Sequence, residues 1–162
     1  MSARPSVARQ WRAGVVWSAV ALSGVLLVAC SREIADTHPQ QVLTKRNAIF
    51  KQMNRALEAI GQVAQGRKEY RRDEFLSQVQ DLEKISGKPW AYFTADGNYP
   101  PTRARPEVWS QPDAFKAAQD DYQGKVRSMV EAAQGGDIER IRAATDAAAR
   151  SCKSCHDRFR GD

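Results

Sequence analysis

Two cysteines separated by two residues, with a histidine directly after the second, stand near the C-terminus as Cys152-Lys153-Ser154-Cys155-His156. That spacing is the covalent attachment signature of c-type haem. Each thiol can add to one haem vinyl group as a thioether, and the adjacent imidazole then lies under the iron and ligates it from one side. A bare Cys-x-x-Cys leaves a thiol redox pair or a zinc site open. The histidine and the lack of a second cysteine pair weigh against both. The remaining cysteine, Cys30, lies far upstream.

Such a motif must be held by an element, and the residues before it supply one. Ile138, Ile141, Thr145, Ala148, Cys152, Cys155 and Phe159 recur by alternating steps of three and four. That is one face of a helix, capped by Asp137 and running to about Arg158. Both cysteines therefore lie on the inward seam. His156, four residues after Cys152, is expected on the same side of the helix. The motif is aimed at a core.

Three further amphipathic segments can build that core. The first runs from about Pro39 to Gln65, with Thr37 near the cap and Pro39 in the first turn. Leu43, Phe50, Met53, Leu57, Ile60 and Ala64 form its seam, and Gly66 ends it. The second spans about Asp73 to Ser86, with Phe75, Val79, Leu82 and Ser86 on one face, stopped by Gly87 and Pro89. The third starts near Pro112 with Ser110 as its cap and runs to about Gln134, where Gly135-Gly136 closes it. Its inner face is Phe115, Ala118, Tyr122, Val126, Met129 and Ala133. Residues 87–112 hold five prolines together with Trp90, Tyr92, Phe93, Val108 and Trp109, so this long connection should be strapped to the domain. A short turn, a long crossover and a second short turn predict an all-α, antiparallel four-helix bundle. One charged residue, Arg46, falls on the inner seam between Leu43 and Phe50. It either snorkels to water at the helix end or meets an anion inside.

Residues 1–29 read as a signal peptide of lipoprotein type, 30–38 as a short linker and 39–162 as the helical domain. A basic start with Arg4, Arg9 and Arg12 precedes an apolar run from Ala13 to Ala29. The run ends in Leu27-Val28-Ala29-Cys30, a lipobox in which Cys30 becomes the lipid-bearing first residue. Several acyl chains would hold the protein at a membrane surface. Ser31 lacks the aspartate character of inner-membrane retention, which directs the expectation to the outer membrane. Two alternatives remain: ordinary cleavage near Ala29, leaving Cys30 a free thiol, and an uncleaved anchor, which Gly14, Ser18, Ser23 and Gly24 weaken. All three place the domain in the periplasm. That agrees with the motif, because bacterial c-type haem is attached outside the cytoplasmic membrane. The formal net charge is +6, and it falls to +3 without residues 1–29, too mild for a nucleic-acid footprint.

The chain resembles the cytochrome c′ family, which places Cys-x-x-Cys-His at the end of the last helix of a four-helix bundle. The resemblance runs from about Val42 to Arg160. It rests on Arg46 to Met53, the loop Thr102-Arg103-Ala104-Arg105-Pro106-Glu107-Val108-Trp109, the Gly-Gly-Asp turn at 135–137, and Cys152 to Arg160. It implies one covalently bound haem c, with thioethers at Cys152 and Cys155 and His156 as axial iron ligand. It implies that Arg46 meets a haem propionate. Arg160 is similar to a basic residue flanking the proximal face, although a solvated cation on the last helical turn is equally expected there. Phe50 stands where the family places the residue facing the open side of the iron. Low-spin members carry methionine there, so phenylalanine implies a five-coordinate, high-spin iron with an apolar distal pocket. Met53, one turn on, is the competing sixth ligand, although as a seam residue it reads first as core. Met129 reads as core and His38 as exposed. The expected role is electron transfer, with nitric oxide or carbon monoxide able to reach the iron. The alternative is a dedicated nitric oxide-binding protein, and an enzyme is not expected. The redox partner is not legible. Membership of this family would also admit a homodimer through the first two helices.

Overall fold

The structure, a computed structural model, describes residues 35–161. The signal peptide and Cys30 lie outside the described residues. Four long helices carry the domain: α1 (Val42–Ala64), α2 (Arg72–Ser86), α4 (Pro112–Gly135) and α5 (Ile138–Phe159), with a short α3 (Glu107–Ser110) in the crossover. A 3₁₀ turn, Lys88–Tyr92, opens that crossover. Helix α1 packs on α2 and α5, and α4 packs on the same two, which closes an antiparallel four-helix bundle. Among the described residues, no helix is long and apolar enough to cross a membrane.

The seams read from the sequence face inward. Ile60, Val79, Leu82, Val126, Met129 and Ile141 are buried in an aliphatic core that fills the middle of the bundle. Burying each of these side chains contributes about 1.5–3 kcal/mol. Two buried hydroxyls close on their own helices, Ser86 on the Glu83 carbonyl and Thr145 on the Ile141 carbonyl, each at 2.8 Å, while Ser151 of α5 donates across to Asp121 of α4 at 2.7 Å. A second, smaller cluster of Val108, Phe115 and Phe159 gathers Trp90, Phe93, Trp109 and Cys155 at the end where the chain finishes.

Helix ends separate what local chemistry decides from what tertiary contact decides. Asp137 caps α5 as expected, accepting from the backbone N–H of Glu139 at 2.9 Å and of Arg140 at 3.2 Å. The first helix starts at Val42 rather than Pro39, because Gln41 takes a left-handed conformation with φ 52° that breaks the helix before it. Thr37 is not its cap. Asp36 reaches across instead and accepts from the Thr44 N–H at 2.8 Å, while the Tyr99 hydroxyl donates to its other oxygen. Burial works against the charged form of Asp36, but the bonds from Tyr99 and Thr44 outweigh it and hold the carboxyl well below the usual carboxylate range. Ser110 does not cap α4 either. It is spent in α3, and the residue before α4 is Gln111, which provides no side-chain cap.

Candidate functional site

The C-terminal motif occupies the last two turns of α5, and the pitch of the helix distributes its three reactive groups. Cys152 packs against the aliphatic core and Cys155 against the aromatic cluster, so the two thiols bridge the clusters. Both are half-buried and unpaired. Burial, and then the neighbouring Cys155, push the Cys152 thiol up to about 11. Burial also raises Cys155. Thiol redox catalysis needs the opposite, a depressed thiol that ionises near neutrality. The local electrostatics therefore weigh against that rival reading.

His156 departs from the sequence expectation. It is exposed, at the rim of the seam rather than inside it. One residue beyond Cys155 is a step of about 100° around the helix, enough to carry the ring from the inner face to the edge. Burial by the remaining neighbours, then the Arg160 cation, lower the imidazole against an opposing pull from Asp157. The ring is thereby favoured in the neutral form that ligates metals.

Arg46 does not snorkel. It is 3% exposed. One nitrogen donates to Thr102 Oγ1 at 2.8 Å, another contacts the Tyr92 carbonyl at 3.4 Å, and the guanidinium lies 4.2 Å over the Phe93 ring. Such a stack is worth about 0.5–2 kcal/mol. No carboxylate among the described residues pairs with it within ion-pair distance, and burial lowers its affinity for the proton while Tyr99 and Asp36 support the charge. A buried guanidinium with five N–H groups and so few acceptors fits a carboxylate-bearing guest.

Phe50 is half-buried in an aromatic wall, edge-on to Trp90 at 5.6 Å and to Phe93 at 6.3 Å between ring centroids. Phe93 continues the wall to Phe115 at 4.9 Å, and Phe115 to Phe159 at 5.1 Å. Met53 is 5% exposed, within the aliphatic core. Met129 is fully buried there too, as its seam position implied. His38 lies in the lead-in to α1, where Nε2 sits 3.0 Å from Asp96 and the ring stacks on Tyr99. Arg160 is exposed and lines a cleft with His156.

Two groups escaped the sequence reading. Trp90 Nε1 and Tyr122 Oη are buried without a hydrogen-bond partner. Burial, and next Cys152, push the Tyr122 hydroxyl well above its ordinary value. Buried polar groups are paired in the great majority of cases, so these two hold places for an acceptor the chain does not provide. An apolar wall, inward thiols, an unpaired buried cation and orphaned donors together fit a haem. Trp90 was legible as an anchor of the crossover, but nothing local marks its N–H as unmet.

The sequence model of the family described as Cytochrome C′ matches residues 41–160. A cytochrome c′ from Alcaligenes xylosoxydans xylosoxydans is 36% identical over 101 residues, covering 60% of this chain and 76% of that protein. One from Rhodopseudomonas palustris is 30% identical over 142 residues, covering 86% of this chain and 92% of that protein. Among solved structures, a nitric oxide complex of a variant cytochrome c prime from Alcaligenes xylosoxidans superposes with a TM-score of 0.74 at 29% identity. It covers 79% of this chain and 100% of that one. A carbon monoxide-bound variant of the same protein gives a TM-score of 0.73, with the same identity and coverage of both chains.

Proposed function

The chain belongs to the cytochrome c′ family, and from that premise we propose that it is a single-electron carrier with a five-coordinate, high-spin iron whose sixth position admits nitric oxide or carbon monoxide. The haem is of the c type and covalently attached. When bound, it supplies a reversible one-electron iron couple and an axial coordination position. In this reading Cys152 and Cys155 hold it as thioethers, and His156, kept neutral by its surroundings, presents a nitrogen as axial ligand. Arg46, already held by Thr102 and stacked on Phe93, offers its free N–H groups to a propionate. Arg160 adds a cation beside His156.

The observation that carries the reading is Phe50. It has no donor atom and lies edge-on against the stacked pair of Trp90 and Phe93. With haem bound, a gas would have to displace this ring to reach the iron, and no neighbouring side chain of the wall is an acid–base group, which supports carrier or gas-binding roles over catalysis. The test is the ferric spectrum, and the ferrous spectrum with and without nitric oxide. High-spin ferric bands and a new ferrous species on adding the gas are expected. Methionine-ligated low-spin features would overturn the role of Phe50 and return Met53 as sixth ligand. A second reading, dedicated nitric oxide binding, is favoured by the gas complexes formed by variants of the Alcaligenes xylosoxidans protein. It wins if the ferrous protein takes the gas but yields no electron to outer-sphere oxidants. We further propose that the domain faces the periplasm on a lipid-modified Cys30. Equal lipid-precursor labelling of wild type and Cys30→Ala would remove that anchor.

A further inference from the structure

At the finishing end of α5 the chain turns back on the crossover. The Arg105 N–H donates to the Phe159 carbonyl at 2.9 Å and the Gly161 N–H to the Arg103 carbonyl at 2.7 Å, an antiparallel bridge between Ala104 and Arg160. This clamp fixes the backbones of Arg103, Arg105 and Arg160 around a cleft of about 260 Å³, whose other walls are His156, Asp157 and Gly161. The single acid in the wall is occupied: the Asp157 carboxylate pairs with Lys153 at 2.6 Å, and its carbonyl accepts from Arg105 at 3.1 Å. Arg103 and Arg160 form no ion pair among the described residues, where the acids of the domain are paired mostly within their own helices.

We propose that this arginine cleft is the docking site for an acidic redox protein, which inserts a carboxylate side chain between Arg103 and Arg160. The inference rests on the electron-carrier reading. His156 is an exposed wall of the cleft, so a partner seated there would touch the imidazole that the proposed function makes the axial ligand. Guanidinium is the group that recognises carboxylate in a planar, two-pronged manner. Clustered cations of one sign also speed encounter with an oppositely charged partner, in a salt-dependent way. The aliphatic core lies between the motif and the turn end of the bundle. The bridge holds the backbones from which these arginines project, so the cleft need not be assembled on docking.

The test uses the intact haem protein and two outer-sphere oxidants. Hexacyanoferrate(III) is an anion and tris(phenanthroline)cobalt(III) a cation. Each gains the one electron the ferrous protein loses, and no atom or proton is exchanged. At low ionic strength Arg103→Glu should slow oxidation by hexacyanoferrate about three- to tenfold and leave the cobalt reaction level or faster. Arg67→Glu, at the far turn, controls for net charge and should do neither. An acidic glutamate oligomer should protect the wild type, and not Arg103→Glu, against hexacyanoferrate. Equal effects of Arg67→Glu and Arg103→Glu overturn the proposal. So does equal protection by inorganic phosphate at matched ionic strength, which makes the cleft a small-anion site. Loss of haem from Arg103→Glu, seen in the visible spectrum, likewise assigns the cleft to the cofactor. If neither oxidant takes an electron from the wild type, the carrier reading itself fails, a result distinct from the loss of charge preference.

Discussion

At the turn end of the bundle, Gly66 with φ 71° and Gly136 with φ 74° let α1 and α4 stop cleanly, and the chain then satisfies itself. Arg72 donates to the Gln134 carbonyl at 2.6 Å, and Arg142 to the Ala64 carbonyl at 3.2 Å, so an arginine of α2 closes the end of α4 and an arginine of α5 the end of α1. The motif end is built differently. Aromatic rings gather where the core has mostly aliphatic side chains, a guanidinium is buried without a carboxylate, and Trp90, Thr94, Glu107 and Tyr122 keep polar atoms that are buried and unmet. Tyr70, near the turn end, is the exception on that side. One end is complete as protein. The other is complete with a group that brings acceptors and flat apolar surface.

The largest expected break in that contrast comes from Cys152→Ser combined with Cys155→Ser. Covalently held haem should fall to background on a denaturing gel stained for haem, and the melting temperature should drop while helical content is kept. An unchanged melting temperature would mean that the cofactor does not complete the motif end. Ile141→Ala, in the first turn of α5, attacks the other end. It should cost about 2–5 kcal/mol in urea unfolding, by the same amount with and without haem. Unequal losses would show that the two ends are one cooperative structure. Trp90→Phe is smaller and sharper. It keeps the ring near Phe50 and deletes the unmet donor, so the haem-free chain should gain about 1 kcal/mol. The haem-loaded protein should lose stability, or shift its midpoint potential, because the acceptor is then left alone. The same sign in both forms would break the assignment of that donor to the cofactor. The smallest effect is in pH. Asp36 has a folded pKa below its unfolded value of about 3.9, so its contribution is full above that value and declines as pH falls through the lowered one. Asp36→Asn should flatten the acid side of a melting-temperature profile and leave it unaltered near neutrality.

What the sequence made legible follows the range of the forces involved. The seams of α2, α4 and α5 obey helical periodicity, and Asp137 caps two and three residues away, so both could be read locally. The motif was legible because its chemistry is contained in five consecutive residues. The cap from Asp36 to Thr44 was not, because it works only once Tyr99 holds the carboxylate from another loop. Likewise, an inward position for Arg46 was read from the seam, but its partners Tyr92 and Thr102 come from the folded crossover. The exposure of His156 was missed through treating a four-residue step as the same face, when the following step from Cys155 decides where the ring stands.

The inward tilt of the two thiols sets an order of events. Cys152 and Cys155 are at the end of the last helix, so every other helix is synthesised before them. Once α5 docks, its thiols are turned toward the core and burial raises both, which reduces the nucleophilic thiolate below its level in an open chain. Attachment is therefore expected to run faster while α5 is still undocked. Chain folded first and offered haem afterwards should stay colourless, and brief unfolding in the presence of haem should restore the colour. In this bundle the last helix serves as the door, and the expectation is that its cargo boards before it shuts.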